Sequence, residues 1–139
     1  MNSVNTLPGS LAKIQSTVQS PHNIEAEQQL LGAILLNNEV FDRVSSIIDS
    51  DHFFEPVHKR IFETSASRIG KNLLVSPVTL KTYFEDDEGL QELGGPAYLV
   101  KLQGSSISSF AAKDYAQMIY DLAVRRELIL LGEKIALNA

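Results

Sequence analysis

Apolar positions recur along this chain in steps of three and four residues, the period of helices with one face turned inward. Ile24, Leu30, Leu31, Ile34 and Leu35 make the first such stripe. Asn23 stands where an N-cap belongs, Glu25 and Glu27 fall in the positive first turn, and Asn37-Asn38 breaks the run. Gly32 and Ala33 are small enough for a neighbouring helix to pack closely. Val40, Phe41, Val44, Ile47 and Ile48 predict a second helix over about 38–48. Asp51-His52-Phe53-Phe54 reads as a connecting turn. Pro56 then opens a third helix at about 56–70, with Val57, Ile61, Phe62, Ala66 and Ile69 inward and Gly70 at its end.

Ser76-Pro77, a cap followed by a first-turn proline, starts a fourth helix at about 77–85 carrying Val78, Leu80, Tyr83 and Phe84. Leu90 and Leu93 make a short turn of helix. Gly94-Gly95-Pro96 forces a bend, and Ala97 to Leu102 is another short helix. Only Leu73-Leu74-Val75 hints at a strand. The reading is therefore all-α: a compact head of about six helices over 23–104, and a long helix over 105–139.

The segment from about 110 to 138 has no proline and a single glycine, Gly132. As one helix it is roughly 40 Å long. A body of about 85 residues has a radius of gyration near 12 Å, so such a helix overhangs it. Phe110, Tyr115, Met118, Ile119 and Leu122 form one stripe, but Leu128-Ile129-Leu130-Leu131 point around the whole circumference. Each Leu or Ile left uncovered forgoes about 1.5–3 kcal/mol. Either something outside this chain covers both sides, or the helix breaks near Arg125-Arg126 or Gly132 and folds back. The last residues, Leu137-Asn138-Ala139, show no clear cap, which suggests an excised domain.

Composition narrows the chemistry. Lys and Arg total 12 against 17 Asp and Glu, a net charge of −5, the wrong sign for a phosphate-gripping surface. Residues 1–22 are polar, hold the single base Lys13 and read as a flexible tail, with a transient turn at Leu11, Ile14 and Val18. The absence of Cys excludes disulfides and thiolate chemistry, and no apolar run approaches a membrane span. No leader pattern is present, so the cytoplasm is the expected location. His52 and His58 with Glu55 lack a helical metal-pair spacing, and Glu85 to Glu88 lacks the spaced ligands of a calcium loop. Gly94-Gly95 is no phosphate cradle. Lys59-Arg60 and Arg125-Arg126 are the adjacent basic pairs, read as solvated helix surface. No catalytic, cofactor or metal residue is assigned. The competing reading is a self-contained helical DNA-binding module using Arg125 and Arg126.

An ordered series of motifs completes the picture. Pro21-His22-Asn23-Ile24-Glu25-Ala26-Glu27-Gln28 leads into Leu31-Gly32-Ala33-Ile34-Leu35. Asp51-His52-Phe53-Phe54, His58-Lys59-Arg60-Ile61-Phe62 and Val78-Thr79-Leu80 follow. Then come Gly94-Gly95-Pro96-Ala97-Tyr98-Leu99, Tyr115-Ala116 and Arg125-Arg126-Glu127-Leu128-Ile129. Over about 21–137 the chain resembles the N-terminal domain of the bacterial replicative DNA helicase, the DnaB family. It departs where the family has Gly-x-Pro-[Val/Ile]-Asp, reading Leu74-Val75-Ser76-Pro77-Val78 with no Asp. It departs again at Pro-x-Ala-Ala-Asn, reading Ser108-Ser109-Phe110-Ala111-Ala112-Lys113.

The resemblance implies that the long helix is the first arm of a hairpin that pairs between subunits, a dimer within a hexameric collar. It implies primase as a partner, with no contact residues assigned. ATP, Mg2+ and single-stranded DNA are implied only for a motor domain that this chain lacks. Periodicity together with the hairpin resemblance nominates Ile119, Leu122, Leu128, Ile129, Leu131 and Ile135 for the subunit interface.

Overall fold

The computed structural model describes residues 20–105 and 108–138; the expected tail lies outside them except for its last three residues. Among the described residues the fold is all-α. Six helices precede a long seventh: α1 (Ile24–Leu36), α2 (Glu39–Val44), α3 (Pro56–Gly70), α4 (Pro77–Lys81), α5 (Glu88–Glu92), α6 (Pro96–Ser105) and α7 (Ala112–Asn138). Short 3-10 turns lie at Ser50–His52, Thr82–Phe84 and Ser109–Ala111.

α1 is the axle. Its Leu30 to Leu35 run is buried on every side, as a helix apolar all round must be. α6 and α7 lie along it, α3 packs against it, and α4 closes over α6. Asn23 caps α1 as the sequence indicates, its Oδ1 accepting the Ala26 N–H at 2.9 Å. Phe53, Val57, Ile61, Leu80, Leu90, Leu99 and Leu102 fill the remaining core.

Several boundaries fall short of the periodic pattern. α2 stops at Val44 rather than 48, because the Val44 carbonyl takes the N–H of both Ile47 and Ile48 in a tight turn through Ser45-Ser46. Serine competes with helical backbone bonds, so these two residues favour that exit. α4 likewise gives way to a 3-10 turn at Thr82. Leu73-Leu74-Val75 is not a strand. The Asn38 side chain holds both the N–H and the C=O of Val75 at 2.9 Å, and also the Ile34 carbonyl at 2.7 Å. That pin buries Val75 and leaves Leu73 and Leu74 outside. Asn72 enters the segment with φ 61°, in the left-handed region that asparagine tolerates. Ser76 then caps α4 in a reciprocal pair with Thr79, at 3.2 and 2.8 Å, so the Asp missing from the family pattern leaves no uncapped helix. Gly94 and Gly95, at φ 117° and 70°, turn α5 into α6.

Glu27 lies in the first turn of α1. In the structure it serves a different helix. Its buried carboxylate accepts the N–H of Phe54 at 2.7 Å and of Glu55 at 3.3 Å, at the entry to α3. The negative charge thus meets the positive end of α3. His58, fully buried, places Nδ1 2.8 Å from the same carboxylate and Nε2 2.7 Å from the Tyr98 hydroxyl. Gln28 Nε2 donates to that hydroxyl at 3.1 Å. The tautomer with the proton on Nδ1 satisfies the whole chain: the imidazole donates to Glu27 and accepts from Tyr98. Burial pushes the Tyr98 phenol above its ordinary value. α1, α3 and α6 are locked together by this one network.

A second tie joins α3 to α5. Arg60 grips Asp87 through two bonds of 2.7 and 2.8 Å, while Asp87 also caps α5 through the Leu90 N–H. Gly89 permits the approach: a Cβ there would fall 2.7 Å from Arg60 Nη2 and 2.8 Å from Val57 Cγ2.

Replacing Glu27 with Ala strands two backbone N–H groups and His58, with an expected loss of about 3 kcal/mol read from the urea midpoint. Glu27→Gln retains an acceptor and should lose less. The Arg60 hydrogen bonds hold the Asp87 carboxyl below its ordinary 3.8. The stabilisation from this depressed group is therefore present above pH 3.8 and lost as pH falls through its folded-state value. Asp87→Asn should accordingly flatten the acid limb of a stability-versus-pH curve below about pH 4 relative to the parent chain.

Candidate assembly surface on the C-terminal helix

α7 is one unbroken helix of 27 residues, roughly 40 Å long. Neither Arg125-Arg126 nor Gly132 interrupts it, which removes the fold-back alternative. Its first half is bound to the head by Ala112, Ala116, Ile119 and Ala123, spaced along one face and all buried. Three of the four are alanines, so the two helix axes can approach closely where α7 runs along α1. Beyond Ala123 no residue of the helix is buried. Leu128, Ile135 and Leu137 are 61, 62 and 86% exposed, and Ile129, Leu130 and Leu131 about half.

At about 100° per residue, these side chains sort into two flanking stripes. Tyr120, Val124, Leu128, Leu131 and Ile135 lie on one side; Met118, Leu122, Ile129 and Ala136 lie on the other. Asp114, Asp121 and Arg125 run as a thin polar line between them, facing away from the head. Leu130 and Leu137 continue the head-facing side past the end of the head. A helix presenting apolar surface on two sides can be covered by two neighbours at once.

Of the six nominated interface residues, Leu128, Ile129, Leu131 and Ile135 stand exposed and Leu122 is half-buried. Ile119 is different. It is 2% exposed and part of the head core, so it is already covered within the chain. The same periodicity that marks it apolar marks a core residue equally well.

The angle at which α7 leaves the head is set by a residue the sequence reading left as solvated surface. Arg126 donates to the Pro21 carbonyl at 2.7 Å and to the His52 carbonyl at 2.8 Å. Its guanidinium lies 5.5 Å from the centroid of the Phe54 ring, on which His22 stacks at 4.0 Å. Burial pulls Arg126 below its ordinary value, and the charge of Glu27 pulls it back. His52 meets Tyr120 edge-on at 5.1 Å and caps its own turn through the Asp49 N–H. These contacts wall a cleft of about 640 Å3 between the head and the overhang, which also takes in Val124, Leu128 and Leu130. The His52, Glu55 and His58 set has separate structural tasks, with Glu55 capping α3 through the Val57 N–H. Among the described residues no cluster could hold a metal ion, and no helix is long and apolar enough to cross a membrane.

Residues 19–121 match the family described as "DnaB-like helicase N terminal domain". The chain belongs to that family. A protein of Rickettsia typhi named "Replicative DNA helicase DnaB" is 39% identical over 138 residues, covering 99% of this chain and 28% of the relative. Its Rickettsia felis counterpart is 44% identical over 119 residues, covering 86% of this chain and 24% of that one. The chain thus spans about a quarter of the length of these relatives. The crystal structure of the N-terminal domain of DnaB helicase from Mycobacterium tuberculosis shares the fold, with a TM-score of 0.78 at 24% identity over 85% of this chain and 86% of that one. The family model's match ends at 121 within α7, whereas the Rickettsia typhi relative aligns with 99% of the chain.

Arg126→Ala removes both carbonyl contacts and the ring contact while leaving α7 intact. A spin-label distance from α3 to the end of α7 should broaden markedly, with helical circular dichroism unchanged. A distribution as narrow as the parent's would mean that the alanine face alone fixes the angle.

Proposed function

We propose that this segment is the assembly and docking domain of a replicative DNA helicase: α7 pairs with neighbours to build a collar, and the head offers primase a platform. The observation that carries the reading is the overhang of α7, whose two apolar stripes stand exposed past Ala123 among the described residues. Family membership and the relatives' names support it. Residues 23–104 then act as the head and 105–139 as the first hairpin arm. Leu122, Leu128, Ile129, Leu131 and Ile135 form the subunit interface. ATP-driven unwinding, with Mg2+ and single-stranded DNA, belongs in this reading to a motor outside these residues, in the cytoplasm where the chromosome lies. Holding primase on a multimeric collar raises its concentration beside the strand it must copy.

The DNA-binding reading loses Arg126 of its named pair to internal contacts, and Lys59-Arg60 as well, while Arg125 stays exposed. Arg126 is bonded to two backbone carbonyls, Arg60 to Asp87, and Lys59 to the Asp51 carbonyl. A salt titration with single-stranded DNA should therefore show weak binding and a shallow slope.

Sedimentation of the 139-residue chain should show mass rising with concentration. Ile129→Asp and Leu131→Asp, one in each stripe, should each weaken self-association about ten-fold or more, since a charge would be buried at the contact. Helicity should remain. Unchanged mass accompanied by lost helicity would assign these residues to the chain's own core and defeat the proposal.

A further inference from the structure

One stretch of the head is unlike the rest. Between Glu63 and Glu85 lies no carboxylate, whereas Arg68, Lys71 and Lys81 all fall there, in a chain of net charge −5. The same stretch exposes large apolar side chains: Val78 is 80% exposed and Leu74 64%, with Leu73 and Tyr83 about half. Among the described residues none of the three cations pairs with a carboxylate.

The presentation is rigid. Arg68 donates to the Leu74 carbonyl at 2.8 Å and to the Tyr83 hydroxyl at 3.1 Å, with its guanidinium 5.7 Å from the Tyr83 ring centroid. It thereby clamps the loop to the end of α4. Asn38 holds Val75 from below, the Ser76–Thr79 pair closes the helix start, and Leu80 and Phe84 anchor the underside in the core. A loop free to move could fold its leucines away. This one is held with them outward, so little ordering is left to be done on binding.

We infer that Leu73, Leu74, Val78 and Tyr83, rimmed by Arg68, Lys71 and Lys81, form a docking surface for an acidic amphipathic segment of another protein. The apolar centre supplies burial. Lys71 and Lys81, with no carboxylate partner among the described residues, select carboxylates around it and repel basic partners, while Arg68 is spent on Leu74 and Tyr83 and holds the surface in shape. Nucleic acid fits less well: three cations neutralise few phosphates, and the most exposed groups are aliphatic. The inference stands whether or not α7 pairs between subunits.

The test uses the 139-residue chain and a fluorescein-labelled 16-residue helix, with Leu at positions i, i+3, i+4 and i+7 and Glu elsewhere. A version with Lys for Glu and a single-stranded 16-mer oligonucleotide serve as controls. The acidic helix should bind, shift amide resonances within 68–84, and weaken as salt rises from roughly 0.05 to 0.5 M. Leu74→Ser combined with Val78→Ser, both surface changes, should weaken it about five-fold or more, and Lys71→Glu with Lys81→Glu likewise. Circular dichroism confirms that the variants are folded. The inference is overturned by no binding, by equal binding of the basic helix, by preference for the oligonucleotide, or by shifts elsewhere on the chain. Self-association that falls in the serine variant would also overturn it, by assigning the patch to a second copy.

Discussion

A helix roughly 40 Å long cannot be sheltered by a body of this size, and the rest of the molecule is organised around that mismatch. The chain resolves it by dividing α7. Its first half is narrow and alanine-lined, so it lies tightly against α1 and completes the core. Its second half widens into leucine and isoleucine, none of which is buried by the described residues. Arg126 sits at the transition. It exchanges water for two backbone carbonyls and a ring face, and so converts a protruding helix into one with a defined direction. A defined direction matters for assembly, because a pairing surface that swings freely must be ordered before it can bind.

The interior carries a matching economy of polar groups. Glu27 brings a carboxylate into the core, but it arrives with three donors waiting, two from the backbone that opens α3 and one from His58. Asn38 brings an amide and spends it on Val75 and Ile34. In each case a polar side chain, buried for Glu27 and half-buried for Asn38, settles the path of a loop rather than the stability of its own helix. Phe54 on one loop then receives Arg126, and Leu73-Leu74 on the other stand outside.

Two kinds of exposed apolar surface result, and their electrostatic settings differ. The α7 stripes flank a thin line of Asp114, Asp121 and Arg125, which carries both signs of charge, as suits other copies of the same helix. The stretch that carries Leu74 and Val78 holds three cations and no carboxylate, which suits a partner of opposite charge. Under the proposed function, separate surfaces let a collar form and a partner be held on it without competition.

The helices were legible in the chain because burying one face imposes a period, and α1, α3 and α7 keep that period over many residues. The caps at Asn23 and Ser76 were legible because their bonds span only three residues. The overhang was legible too, since four consecutive large aliphatics on a helix outnumber the faces one body can cover. Periodicity could not tell Ile119 from Leu122 or Leu128, because it reports that a residue is apolar and not what lies opposite. Glu27, Asn38 and Arg126 escaped for a different reason. Their partners are 27 to 105 residues away in sequence, and hydrogen bonds of that span exist only after the helices have packed. Local pattern determined which segments are helices and that one of them is too long; tertiary packing alone decided where that helix points and which leucines stay outside, because both depend on contacts between distant parts of the chain.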